Sequence, residues 1–184
     1  MKKILTFIAL FIGTLISLTA NAQEKKEANM PKILVAYYSY SGNTKKIADT
    51  IAEKTGGTLF EIKTDTVYPD EYQAMTEQVK KEIENAYRPK LTTFVENIAQ
   101  YDIIFLGSPN WWGTIPPAVS SFLSQYNFNG KTIIPFISNG GGGVQNTILN
   151  ITKQCTNCTV IQNGWVVQGA KTTNIESWLK KVTE

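Results

Sequence analysis

The sequence predicts a doubly wound α/β domain with a five-stranded parallel sheet as the middle of three layers. Three observations carry that expectation. From Lys32 onward, short β-branched apolar runs alternate with longer amphipathic stretches, the pattern of successive βα units. Two of those runs, 103–106 and 132–137, are almost continuously apolar, as strands covered by helices on both faces must be. The length of 184 residues, with 42% hydrophobic and 18% charged composition, suits one domain with a full core.

The predicted strands are residues 33–38, 58–62, 103–106, 132–137 and 159–167. The first predicted helix, 44–54, puts Ile47, Ile51 and either Ala48 or Ala52 on one stripe, while Lys45, Lys46, Asp49 and Glu53 face away. Further helices are expected at 72–86, 117–126, 144–153 and 174–182, the last burying Ile175, Trp178, Leu179 and Val182. Pro117 suits a first helical turn, where its missing N–H has no partner to lose.

The chain begins as an export signal does. Lys2 and Lys3 precede an apolar run to Ala20, and Ala20-Asn21-Ala22 forms a small-residue cleavage site before Gln23. Residues 1–22 are therefore expected to be removed after general secretory export, and 23–31 to be a flexible leader to the domain at 32–184. The expected location is periplasmic or extracellular. With no Cys after the cleavage site to carry a lipid, no membrane attachment is expected of the mature chain. The alternative is an uncleaved anchor, because the run reaches the lower length limit of a spanning helix.

Composition removes several function classes. Histidine is absent, which weakens hydrolase and zinc readings, since it is the usual general base and the commonest neutral metal ligand. The formal charge of +3 includes Lys2 and Lys3, leaving about +1 after cleavage, with no basic footprint for nucleic acid. Cys155 and Cys158 form a C-x-x-C that follows a predicted helix rather than opening one. In an exported protein that reads as a local disulfide or idle thiols, with a redox dithiol as the weaker alternative.

Ligands of open parallel sheets bind beyond the carboxyl ends of the strands, where strand order reverses. The loop after strand one, Ser39-Tyr40-Ser41-Gly42-Asn43-Thr44, combines hydroxyls with a helix N-terminus and has the form of an anion cradle, although an ordinary capped turn would look alike. After strand three come Pro109, Asn110, Trp111, Trp112 and Gly113, where adjacent indoles in a loop suggest a planar aromatic ligand, with Trp111 expected on the ligand and Trp112 packed into the loop base. After strand four, Ser138 and Asn139 lead into Gly140-Gly141-Gly142-Gly143, which either lets backbone approach a ligand or is a flexible connector. The conjunction of the three loops on one sheet edge favours a ligand site.

These segments resemble the flavodoxin family, and more closely its flavodoxin-like branch of NAD(P)H-dependent oxidoreductases. The matching residues are the run from Ala36 to Lys46, Tyr68-Pro69, Arg88-Pro89, Ile104 to Gly107, Trp111 to Thr114 and Gly130 to Phe136, together covering about residues 32–182. The resemblance implies a strand order of 2-1-3-4-5, with flavin mononucleotide (FMN) at the switch between strands one and three. It implies that Ser39 to Thr44 hold the phosphate, that Pro109 to Gly113 flank the isoalloxazine, and that Ser138 to Gly141 lie along its other edge. A redox partner or small-molecule substrate is implied with them. Asn139 departs from relatives that often carry histidine there, and the near-neutral charge departs from the acidic electron carriers. A flavin-free binding module on the same fold is the alternative, followed by a thiol–disulfide protein acting through Cys155 and Cys158.

Overall fold

In the computed structural model, which describes residues 30–183, strand β1 (Ile33–Tyr37) sends alternate side chains to opposite cores. Leu34 and Ala36 enter one; Val35 and Tyr37 enter the other. β3 (Ile103–Pro109) and β4 (Thr132–Asn139) divide in the same way, with Ile104, Leu106, Ile133 and Ile137 opposite Phe105, Ile134 and Phe136. Such two-sided burial explains why these strands read as apolar runs. Helix α1 (Asn43–Thr55) and α5 (Ile175–Thr183) cover the Phe105 face through Ile47, Ile51, Trp178 and Leu179. Helices α3 (Pro117–Gln125) and α4 (Thr147–Gln154) cover the other through Val119, Phe122, Ile148 and Ile151. Helix α2 (Tyr72–Glu84) buries Met75 and Val79.

All strand pairs are parallel, in the order β2 (Thr58–Glu61), β1, β3, β4, β5 (Thr159–Val160). Each fully buried large apolar side chain contributes about 1.5–3 kcal/mol, whereas an exposed pair such as Lys45–Asp49 at 2.8 Å is screened by solvent and contributes little. The two cores therefore hold the domain.

The expected fifth strand, 159–167, is divided. β5 pairs Thr132 and Ile133 of β4, and a second piece, β6 (Trp165–Gln168), pairs Phe136 to Asn139. Pro135 explains the break. Ile133 accepts the edge bond from Ile161, and two residues on Pro135 presents the same side without an N–H to offer. Gly164 fills the gap, where a Cβ would stand 2.6 Å from the Pro135 carbonyl oxygen. The helix expected at 144–153 begins instead at Thr147, because Gly143 and Gln145 have φ of 71° and 42° and make a turn. β3 and β4 run past their expected ends as far as the pair Pro109–Ser138. No described helix is long and apolar enough to cross a membrane, and the predicted signal at 1–22 lies outside the described residues.

Candidate cofactor site

Ser39 to Thr44 join β1 to α1. Gly42 is the N-cap in a left-handed conformation (φ 83°), no side chain caps the helix, and a Cβ on Gly42 would meet nothing within 4 Å. The N–H groups of the first turn therefore have no intrahelical partner and no side-chain substitute. The Ser39 hydroxyl is buried without any hydrogen-bond partner. Thr44 Oγ1 lies 2.8 Å from Ser138 Oγ, both buried, which ties this loop to the end of β4. Asn43 donates to Ser41 Oγ at 3.2 Å. Lys45 turns to Asp49, whose hydrogen bond raises the lysine pKa, so the nearer of the two lysines after the loop is already engaged.

A cavity of about 470 Å³ opens beside this loop. Asn110, Trp111, Trp112 and Gly113 form one wall, Asn139, Gly140, Gly142 and Gln145 a second, and Tyr72, Met75, Thr76 and Val79 of α2 a third. Every lining side chain is uncharged. Ser39 to Thr44 do not line it; they adjoin it through Tyr40, whose ring stands 5.7 Å from that of Trp111. Pro109 and Ser138 are paired in the sheet behind the cavity, and Gly141 lies outside the lining.

The two indoles have different roles. Trp111 packs edge-on against Tyr38, Tyr40 and Tyr68, with ring centroids 5.5–5.7 Å apart. Trp112 is 58% exposed, donates its Nε1–H to the Thr76 carbonyl at 3.1 Å and lies under Lys80 Nζ. Trp111 and Thr114 exchange both backbone hydrogen bonds at 3.0 Å, and the residues between them, Trp112 and Gly113, have φ of 52° and 78°. That is a type I′ turn, a conformation that costs a bulky residue energy. It makes Trp111, not Trp112 as expected from the sequence, the indole that packs into the loop base, because the turn directs Trp112 outward.

Asn139 organises the glycine loop. Its Nδ2 donates to Val167 O at 2.9 Å, and its Oδ1 accepts from Gly141 N at 2.8 Å and Gly143 N at 3.2 Å. With those contacts made, the side chain is a brace for the loop. Asn110 joins the two loops, its N–H bonding Ser138 O and its Nδ2 bonding Gly143 O, while its buried Oδ1 has no partner. The Gly113 carbonyl accepts from Asn146 N at 3.0 Å, which fixes this peptide. Burial, reinforced by Tyr40 and Glu82, pushes the Tyr38 phenol above its ordinary value. Burial and the 2.8 Å bond to Glu82 do the same to Tyr68. Both phenols stay protonated near neutrality.

A model of the flavodoxin family matches residues 32–182. The chain belongs to the flavodoxin family. Within that family it is 29% identical, over 66% of its length, to an NAD(P)H dehydrogenase (quinone) of Acidovorax ebreus, and 30% identical over the same share to one of Cupriavidus metallidurans. The chain spans only 64% of the length of those two relatives. A protein of Bacteroides eggerthii assigned as a flavoprotein superposes with a TM-score of 0.72 at 28% identity, covering 84% of this chain and 99% of that one. A Lactobacillus acidophilus flavoprotein solved with FMN has the same fold, with a TM-score of 0.68 at 22% identity, covering 82% of this chain and 99% of that one.

The flavodoxin fold thus supplies the predicted strand order and brings the three loops to one edge. Sequence reasoning missed the wall contributed by α2 and by Gln145. The signal was present in Tyr72, Met75, Thr76 and Val79, spaced at i, i+3, i+4 and i+7, but the same stripe describes a helix packed on a core. Cys155 and Cys158 are joined as a disulfide just beyond α4.

Proposed function

We propose that this chain binds FMN and uses it to reduce a small molecule, a quinone being the class its relatives suggest, with NAD(P)H as donor. The observation that carries the reading is the buried, partnerless Ser39 hydroxyl beside the uncapped N-terminus of α1. A phosphate dianion satisfies both at once, and each hydrogen bond to it contributes about 1.5–3 kcal/mol. A planar uncharged ring suits the neutral cavity walled by Trp112, Tyr72 and the glycine loop. Ser39, Ser41, Thr44 and the first-turn amides would hold the phosphate; Asn110, Trp112 and the amides near Gly140 would flank the ring.

Bound FMN would supply the electron or hydride transfer. The chain's own residues bind and orient it, and the packed rings of Tyr38, Tyr68 and Trp111 keep water from one side. A reductase is favoured over an electron carrier by charge. The balance of about +1 after cleavage is far from the strongly acidic one that would steer a basic protein partner, and the cavity carries no charge of its own. The apolar start of the chain and its Ala20-Asn21-Ala22 ending support secretory export, with cleavage after Ala22. Reconstitution with FMN followed by NADH- or NADPH-dependent quinone reduction tests the activity. Turnover only through an added protein acceptor would favour the carrier. Failure to bind FMN would favour a flavin-free module.

A further inference from the structure

A second, smaller depression of about 240 Å³ lies on the other side of the Trp111–Thr114 turn. It is the next depression along α2, separated from the cavity by the turn whose Trp112 bonds the Thr76 carbonyl. Val79 lines the cavity and Ile83, one helical turn later, lines the depression; Gly113 lines the first and Thr114 the second. From Tyr72 to Ile83 this path runs about 16 Å at 1.5 Å per residue, the scale of an extended dinucleotide.

The far end of the path holds Arg88, the one arginine in the chain. Helix α2 ends in a Schellman turn, with Tyr87 N bonding Glu82 O and Ala86 N bonding Ile83 O, and Ala86 takes φ 50° to close it. Ser121 then clamps the Pro89 carbonyl at 2.7 Å, so the backbone carrying Arg88 is anchored on both sides. Among the described residues Arg88 pairs with no carboxylate, and no Asp or Glu lines the depression. An arginine fork without an anion, at the end of an acid-free groove, is suited to phosphate. Beside it Gln154 donates to Ser120 Oγ at 3.2 Å, while its buried Oε1 has no donor. The groove therefore offers a bidentate cation for an anion and an acceptor for a hydroxyl or amino group.

We infer that this groove seats the phosphate-bearing adenylate half of the nicotinamide dinucleotide whose reactive ring would enter the flavin cavity, with Arg88 on a phosphate and Gln154 accepting from a sugar hydroxyl or base amine. The inference rests on the reading of the site as an NAD(P)H-dependent one, but it concerns residues outside the FMN cradle.

The test is calorimetric titration of the FMN-loaded chain with ADP-ribose, with its 2′-phosphate and with inorganic phosphate, using wild type, Arg88→Gln and Arg88→Lys. The expected result is that at least one nucleotide fragment binds, that Arg88→Gln weakens it ten- to a hundredfold, that Arg88→Lys restores only part, and that FMN affinity is unchanged in both variants. In turnover, Arg88→Gln should raise the KM for the full dinucleotide by a similar factor while leaving N-benzyl-dihydronicotinamide, which lacks the adenylate, unaffected. Fragment binding in FMN-free protein reads the groove even where flavin turnover fails, so the two readings fail separately. No fragment binding, binding insensitive to Arg88→Gln, or inorganic phosphate bound as tightly as the fragments would overturn the inference.

Discussion

Thr44 Oγ1 and Ser138 Oγ meet at 2.8 Å although they are 94 residues apart in sequence, and this bond fastens the loop after β1 to the end of β4. Two hydroxyls hold two protons, and their mutual bond uses only one of them. The other is left for an acceptor placed between the loop and the sheet edge. Thr44→Val removes the link and strands the Ser138 hydroxyl, so the FMN-free protein should lose about 1–3 kcal/mol. FMN affinity should fall roughly ten- to a hundredfold, and Thr44→Ser should restore most of both. Thermal unfolding and flavin fluorescence quenching read the two effects.

The indoles should separate by property. Trp111→Ala removes a ring packed against three tyrosines and should cost about 3 kcal/mol of stability. Trp112→Gly removes an exposed ring from a backbone that favours glycine, relieving roughly 1 kcal/mol or more of strain. The FMN-free form of that variant should be no less stable than wild type, while its flavin binds less tightly and its midpoint potential shifts. Denaturant unfolding with a spectroelectrochemical titration of each variant decides whether the roles are as assigned.

The four long strands were legible because burial on both faces demands apolar runs, and the three loops at their ends stood out because clustered Ser, Gly and Trp are unusual there. The divided edge was not, because it depends on which side Pro135 faces in the ladder. The indole assignment was likewise out of reach. The pairing of Trp111 with Thr114 turns Trp112 outward, and residue type alone does not specify that turn. Helix α2 was found without its role as a wall, since an apolar stripe does not say what it faces. The Asn139 brace depends on the positions of Val167, Gly141 and Gly143, which only the folded loop brings within reach.

Acid should loosen the α2 wall. The Glu71 carboxylate caps this helix, accepting from Gln73 N at 2.8 Å and Ala74 N at 2.6 Å, and the amides of Ala74 and then Gln73 hold its pKa below the ordinary value of 4.5. A depressed folded pKa contributes stability that is present above 4.5 and lost as pH falls through the folded value. Amide protection factors at Gln73 and Ala74 should drop between pH 6 and pH 3, whereas Glu71→Gln should show reduced protection already at pH 6, with little further change.

Replacing Cys155 and Cys158 together by serine should leave FMN affinity and turnover unchanged. The bridge closes a loop of sequence separation 3, so little chain entropy is at stake, and the main cost, about 1–3 kcal/mol, is a hydroxyl placed where Cys155 is buried. Loss of redox activity in the double variant would transfer the chemistry to the thiols.

The central claim concerns the phosphate cradle, and Ser39→Ala tests it most directly. Its hydroxyl has no partner in the ligand-free fold, so removing it deletes an unsatisfied buried group and should leave the melting temperature of FMN-free protein unchanged or raised. Titrating the variant with FMN and with riboflavin, which lacks the phosphate, is the deciding measurement. The account predicts that FMN weakens at least tenfold while riboflavin affinity is unchanged; equal weakening of both flavins, or no weakening of either, would contradict it.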